Sequence, residues 1–116
     1  MKREVVVLCG STRFREEFRN VERALTLAGK IPLPPAIYGK AEGIKYSNEM
    51  SKHLFELHLD KIRMSDSIYV IDVDGYIGES TQKEIAFAKD NGKGIRYYSH
   101  EKDSIMTTLK QLEVEE

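Results

Sequence analysis

The run from Glu4 to Cys9 constrains this chain most. After Glu4 it is unbroken apolar sequence, Val5-Val6-Val7-Leu8-Cys9, and Gly10 ends it. A strand that is apolar on both faces must be covered on both faces, and a parallel sheet between helices does this. A second run of the same kind spans Ser67–Val73. Between and beyond them the period of the apolar residues changes to that of a helix. Phe14, Phe18, Val21, Leu25 and Ala28 form one stripe, and Met50, Leu54, Phe55, Leu57, Leu59 and Ile62 form another.

The remaining segments complete an alternating order. Gly29 is a natural stop for the first helix. Ile31–Ile37 reads as a strand, and Pro32, Pro34 and Pro35 keep it short or at a sheet edge because proline donates no ladder hydrogen bond. Tyr38–Asn48 is the longest connection, and Asn48 is positioned to cap a helix over Glu49–Met64. A loop at Asp74–Ser80 leads to a helix over Thr81–Asn91, then a strand at Gly94–Ser99. A last helix over Asp103–Leu112 turns Ile105, Met106, Leu109 and Leu112 inward. The order βαβαβαβα predicts a three-layer α/β domain of flavodoxin or Rossmann type, with right-handed crossovers and strand order 2-1-3-4. One domain over residues 1–116 suits the length.

Ligands of such sheets bind outside the carboxyl ends of the strands, where the strand order reverses. Here that point lies between the first and third strands. It brings together Gly10-Ser11-Thr12-Arg13 and Gly75-Tyr76-Ile77-Gly78-Glu79-Ser80-Thr81. Adjacency of these two loops follows from topology alone.

Composition narrows the partners. A formal net charge of −1 with both signs interleaved argues against a nucleic-acid polymer as ligand. No apolar run approaches ~18 residues, so no membrane span is expected. A single cysteine precludes an intrachain disulfide and suits a reducing compartment, which makes the cytoplasm the expected location.

In the first loop, Gly10 lets a ligand approach the backbone closely. The Ser11 and Thr12 hydroxyls can cap the following helix, and its N–H groups and dipole favour an anion. Arg13 or Arg15 adds a fork of donors. The alternative is a tight turn with an ordinary cap. Cys9 and Arg15 stand as C-x5-R directly after the strand. That resembles the phosphate loop of low-molecular-weight tyrosine phosphatases, although Glu16 follows Arg15 where that family has Ser or Thr. The competing reading of Cys9 is a buried structural thiol.

In the second loop, Asp72 and Asp74 lie at the end of the third strand. Glu79 and Glu84 bracket the start of the next helix. Asp74, Gly78, Glu79 and Ser80 join Cys9, Gly10, Ser11, Thr12 and Arg13 as substrate-binding candidates. Retaining glycosyl transfer uses two carboxyl groups ~5–5.5 Å apart, one of them a nucleophile. The competing role for Glu84 is structural: Thr81-x-x-Glu84 is a capping-box pattern.

Three segments together resemble the nucleoside 2-deoxyribosyltransferase-like superfamily, which includes deoxynucleoside monophosphate N-glycosidases. They are Leu8-Cys9-Gly10-Ser11, Val70-Ile71-Asp72-Val73 and the stretch from Gly78 to Ala88. The last contains a small residue followed by Thr-x-x-Glu-Ile-x-x-Ala. The resemblance implies that Glu84 is the nucleophile on C1′ of a deoxyribose, that Asp72 assists the base, and that the first loop holds the sugar or phosphate. It implies a nucleoside or nucleotide as small-molecule partner, no metal or redox cofactor, and a homo-oligomer. Val7 stands where the superfamily usually has a tyrosine, with Tyr38, Tyr46 and Tyr76 as stand-in aromatics, and Gly78 and Ser80 replace the Asp and Gly of its Asp-x-Gly-Thr. The Gly78–Ala88 stretch is also similar to the Thr-x-x-Glu motif of nucleotide phosphoribohydrolases of the lysine-decarboxylase-like family.

The expected geometry is therefore Glu84 and Asp72 converging on one pocket beside Gly10 and Ser11. His53, His58 and His100 show no clear ligand set with a cysteine or carboxylate. The function expected is an N-glycosidic bond hydrolase or deoxyribosyl transferase. The alternatives are a non-catalytic nucleotide-binding domain and a Cys9-dependent phosphatase.

Overall fold

The structure is a computed structural model that describes residues 2–35 and 43–113. Strands β1 (Val5–Gly10), β2 (Ile31–Leu33), β3 (Ser67–Ile71) and β4 (Gly94–Tyr97) form one sheet in the order β2-β1-β3-β4. All pairings are parallel. Helices α1 (Arg15–Leu27), α2 (Asn48–Met64), α3 (Glu79–Asp90) and α4 (Tyr98–Leu112) alternate with the strands. This is the α/β architecture and strand order that the alternation predicts. No helix among the described residues is long and apolar enough to cross a membrane.

Alternation along β1 and β3 divides the core into two. Val6, Leu8, Tyr69 and Ile71 face α1 and α4, where Phe18, Val21, Leu25, Tyr98, Ile105 and Leu109 cover them. Val7, Cys9, Ile68 and Val70 face the other way, where the buried cover is Ile62 of α2 and Ala88 of α3. The first side is filled by large side chains. The second is thinly covered toward the carboxyl ends of the strands, and the cavity described below opens there.

Several boundaries differ from those expected. β2 stops at Leu33, short of the expected Ile37, and residues 36–42, including Tyr38, lie outside the described residues. β2 is an edge strand, as its prolines require. Helix α1 starts at Arg15 with Phe14 as its N-cap. Neither Ser11 nor Thr12 caps it: a turn closed by the Phe14 N–H donating to the Ser11 carbonyl at 3.1 Å places both residues ahead of the cap position. Ser47 replaces Asn48 as the cap of α2, its hydroxyl accepting from the Met50 N–H at 3.1 Å. Met106 and Leu112 of α4 are exposed rather than inward, as are Met50 and Leu57 of α2.

Candidate active site

The two loops at the ends of β1 and β3 touch. The Arg13 guanidinium lies 4.3 Å from the centroid of the Tyr76 ring, and Phe14 meets the same ring edge-on at 6.1 Å. Gly10 closes the junction from beneath. Its φ is +149°, and a Cβ there would sit 2.9 Å from the Ile71 carbonyl oxygen. Close packing of β1 on β3 thus excludes a side chain at Gly10, a stronger constraint than ligand approach.

A cavity of about 430 Å³ opens beside this junction. Gly10 and Thr12 contribute from the first loop, Ser80 and Glu84 from α3, and Leu54, Phe55, His58 and Lys61 from α2. The size falls in the range of small-molecule sites. Ser80 and Glu84 share a helix face because they are one turn apart. Glu84 is buried. Helix α3 begins at Glu79 with Gly78 as its N-cap and no side-chain cap bond, so Thr81 lies inside the helix. The capping box is not formed, and the Glu84 carboxyl is turned to the cavity.

Two partners meet that carboxyl. His58 Nε2 is 3.8 Å from Glu84 Oε1. Cys9 Sγ is 3.5 Å from His58 Nε2 and within 4.8 Å of a Glu84 carboxylate oxygen. Loss of water raises the Glu84 pKa from the ordinary 4.5 to about 7, against the pull of the Cys9 hydrogen bond. Loss of water, with the charge of Lys61, lowers His58 from 6.5 to about 4. The His58–Glu84 contact is therefore a neutral pair between those values and not an ion pair. Burial, then the Glu84 charge, push the Cys9 thiol well above its usual range. A fully buried, protonated thiol is a poor nucleophile, which argues against the phosphatase reading of Cys9 and Arg15.

The convergence of Glu84 with Asp72 is not what the fold builds. Asp72 accepts two hydrogen bonds from Ser99, at 2.8 Å from its N–H and 2.6 Å from its hydroxyl. It thereby serves the first turn of α4, and it does not line the Glu84 cavity. Asp74 has left-handed backbone, φ 52°, and lines a separate cleft of about 300 Å³ with Tyr98, Ser99 and Lys102. Glu79 is exposed and pairs with Lys83 at 3.7 Å. Gly78 packs beneath Tyr76, whose hydroxyl would lie 3.3 Å from an added Cβ. Of the sequence candidates, Cys9, Gly10, Thr12, Ser80 and Glu84 surround or back the cavity. Ser11 does not line it, and Arg13 is exposed over Tyr76.

His58 is the residue that sequence reasoning missed, and the absence of a ligand set with cysteine or carboxylate is corrected by Cys9 and Glu84. A signal existed. Leu54, His58 and Ile62 recur at one-turn spacing, and Ile62 is fully buried against the sheet. A histidine on that stripe has to face inward. Comparison with known protein families finds no match to this chain, and no curated protein matches it.

Proposed function

We propose that the cavity binds a nucleoside or nucleoside 5′-monophosphate, and that Glu84 cleaves or transfers its N-glycosidic bond. The observation that carries this reading is the buried Glu84 carboxyl, uncommitted to a helix cap and turned into a cavity beside the first loop. Leu54 and Phe55 offer an apolar wall to the flat face of a base. No side chain caps the first N–H groups of α3, so that helix start at Ser80 suits a phosphate or a sugar hydroxyl. The likeness to the nucleoside 2-deoxyribosyltransferase-like superfamily adds the substrate class.

In this reading a Glu84 oxygen forms a bond to C1′ as the C1′–N bond breaks. The bonding pair leaves with the base, which takes a proton from water. Water or an acceptor base then attacks C1′ and gives up a proton to solvent as the C1′–Glu84 bond breaks and returns the carboxylate. Asp72 is assigned to holding the start of α4. The reading includes a homo-oligomer, for which exposed Met50, Leu57 and Met64 on α2 supply apolar surface.

The commitment of Asp72 to Ser99 favours a second reading, a pocket that binds nucleotide without turnover. Chromatography of deoxynucleosides and their monophosphates after incubation separates the two. The first reading predicts free base from the wild type and at least ~100-fold less from Glu84→Gln. Saturable binding with no base from either protein favours the second.

A further inference from the structure

Cys9, His58 and Glu84 come from β1, α2 and α3 and meet in space. Their sulfur, imidazole nitrogen and carboxylate oxygen all lie within 4.8 Å of one another. A thiol, an imidazole and a carboxyl meeting beside the apolar cluster of Val7, Ile62, Ile68, Val70 and Ala88 is an unusual way to fill space. We propose that Cys9 Sγ, His58 Nε2 and Glu84 Oε1 form a three-ligand site for a borderline-soft divalent cation, Zn²⁺ above all, whose fourth position opens to the cavity.

The distances fit that geometry. A tetrahedral Zn²⁺ with a thiolate at ~2.3 Å and an imidazole at ~2.0–2.1 Å holds those two atoms ~3.5 Å apart. The Sγ–Nε2 separation is 3.5 Å. The same geometry sets nitrogen and carboxylate oxygen ~3.4 Å apart, slightly under the 3.8 Å between His58 and Glu84. The third pair, Cys9 Sγ and a Glu84 oxygen, lies within 4.8 Å and closes to ~3.5 Å around an ion. The mixed S, N and O donor set suits Zn²⁺ and Co²⁺ and does not suit Mg²⁺, which prefers oxygen ligands in octahedral geometry. One thiolate, one carboxylate and a neutral imidazole also cancel the ion's two charges, which a buried site requires. His58 and Glu84 line the cavity while Cys9 is fully buried behind them, so three protein ligands and one open position result.

This site uses the carboxylate assigned above as nucleophile, so a bound ion blocks that role. This inhibitory consequence rests on the proposed function, whereas the binding itself does not. The test uses the untagged full chain after dialysis against a chelator. Calorimetric titration is expected to show one Zn²⁺ per chain and no Mg²⁺ binding at the same site. Cobalt(II) is expected to give a thiolate-to-metal charge-transfer band in the wild type, a readout that needs no substitution. Cys9→Ser loses that band and binds Zn²⁺ at least ~100-fold more weakly, as does His58→Gln. Absence of Zn²⁺ binding, or a cobalt spectrum without the thiolate band, overturns the site. Equal binding by wild type and both variants overturns it as well. Zn²⁺ binding with no base release by any sample leaves the site standing and removes the glycosidase reading. Base release with no Zn²⁺ binding does the reverse. With both present, Zn²⁺ suppresses base release and chelator restores it.

Discussion

The Glu84 carboxyl and the His58 imidazole both lose water in the same place, and they respond to pH with opposite signs. The folded pKa of Glu84, about 7, stands above its ordinary 4.5. Its favourable contribution is full below 4.5 and is lost as pH rises through 7. The folded pKa of His58, about 4, stands below its ordinary 6.5. Its contribution is present above 6.5 and is lost as pH falls through 4. Between 4.5 and 6.5 the two slopes cancel. Removing one group exposes the other, with a full span of about 3 kcal/mol from a shift of that size. Relative to wild type, Glu84→Gln should gain stability as pH rises from 4.5 to 7, and His58→Gln should lose it as pH rises from 4 to 6.5. Urea denaturation across this range checks both, and variant–wild-type differences that do not change with pH contradict the neutral pair. The same titration makes base release increase with pH through about 7, as Glu84 ionises. Gly10 and Thr12 were legible as cavity neighbours because a strand end announces itself in sequence, and Ser80 and Glu84 because the Gly78–Ala88 stretch carries a Thr-x-x-Glu pattern. His58 sits on the Leu54–Ile62 stripe of α2 and was legible as an inward-facing residue, but its partners Cys9 and Glu84 come from β1 and α3, far from it in sequence.

At the scale of elements, the starts of the helices were the least legible feature. The α4 start at Tyr98 was expected at Asp103, and the reason is that its capping acceptor comes from outside the helix. Asp72 at the end of β3 receives the Ser99 N–H and hydroxyl, in place of a local cap. No local pattern announces such a cap. Asp72→Ala should destabilise the protein by ~1–3 kcal/mol and raise hydrogen exchange in the first turn of α4. An unchanged exchange rate there contradicts the capping role. The β1–α1 junction carries a second prediction. Gly10→Ala meets both a left-handed backbone and the Ile71 carbonyl, so it should cost at least ~1–3 kcal/mol in thermal unfolding. A variant as stable as wild type contradicts the close approach.

At the scale of the whole molecule, strand order was legible because strands buried on both faces and right-handed crossovers leave few topologies. The same order predicts contact between the two loops, and Arg13 on Tyr76 is that contact. Sequence did not reveal that the crevice is divided. Glu84 opens toward α2, while Asp72 and Asp74 turn toward α4, and a one-dimensional motif does not say on which side of the sheet a carboxyl emerges. Two cores on opposite sides of one sheet should respond independently. Leu25→Ala should cost ~2–5 kcal/mol and Ile62→Val ~0.5–1.5 kcal/mol. The double variant should equal their sum within ~0.5 kcal/mol by urea denaturation. A larger deviation means that the sheet couples its two sides.

Attack by Glu84 on C1′ leaves a covalent sugar, and that is the most direct mark of the proposed function. Wild type and Glu84→Gln are mixed with a deoxynucleoside monophosphate, quenched in acid at short times and digested for mass spectrometry. The expected result is one deoxyribosyl phosphate unit on the peptide that contains Glu84, absent from Glu84→Gln. Base release by the wild type with no adduct on that peptide at any time, or undiminished release by Glu84→Gln, contradicts the assignment of Glu84 as nucleophile.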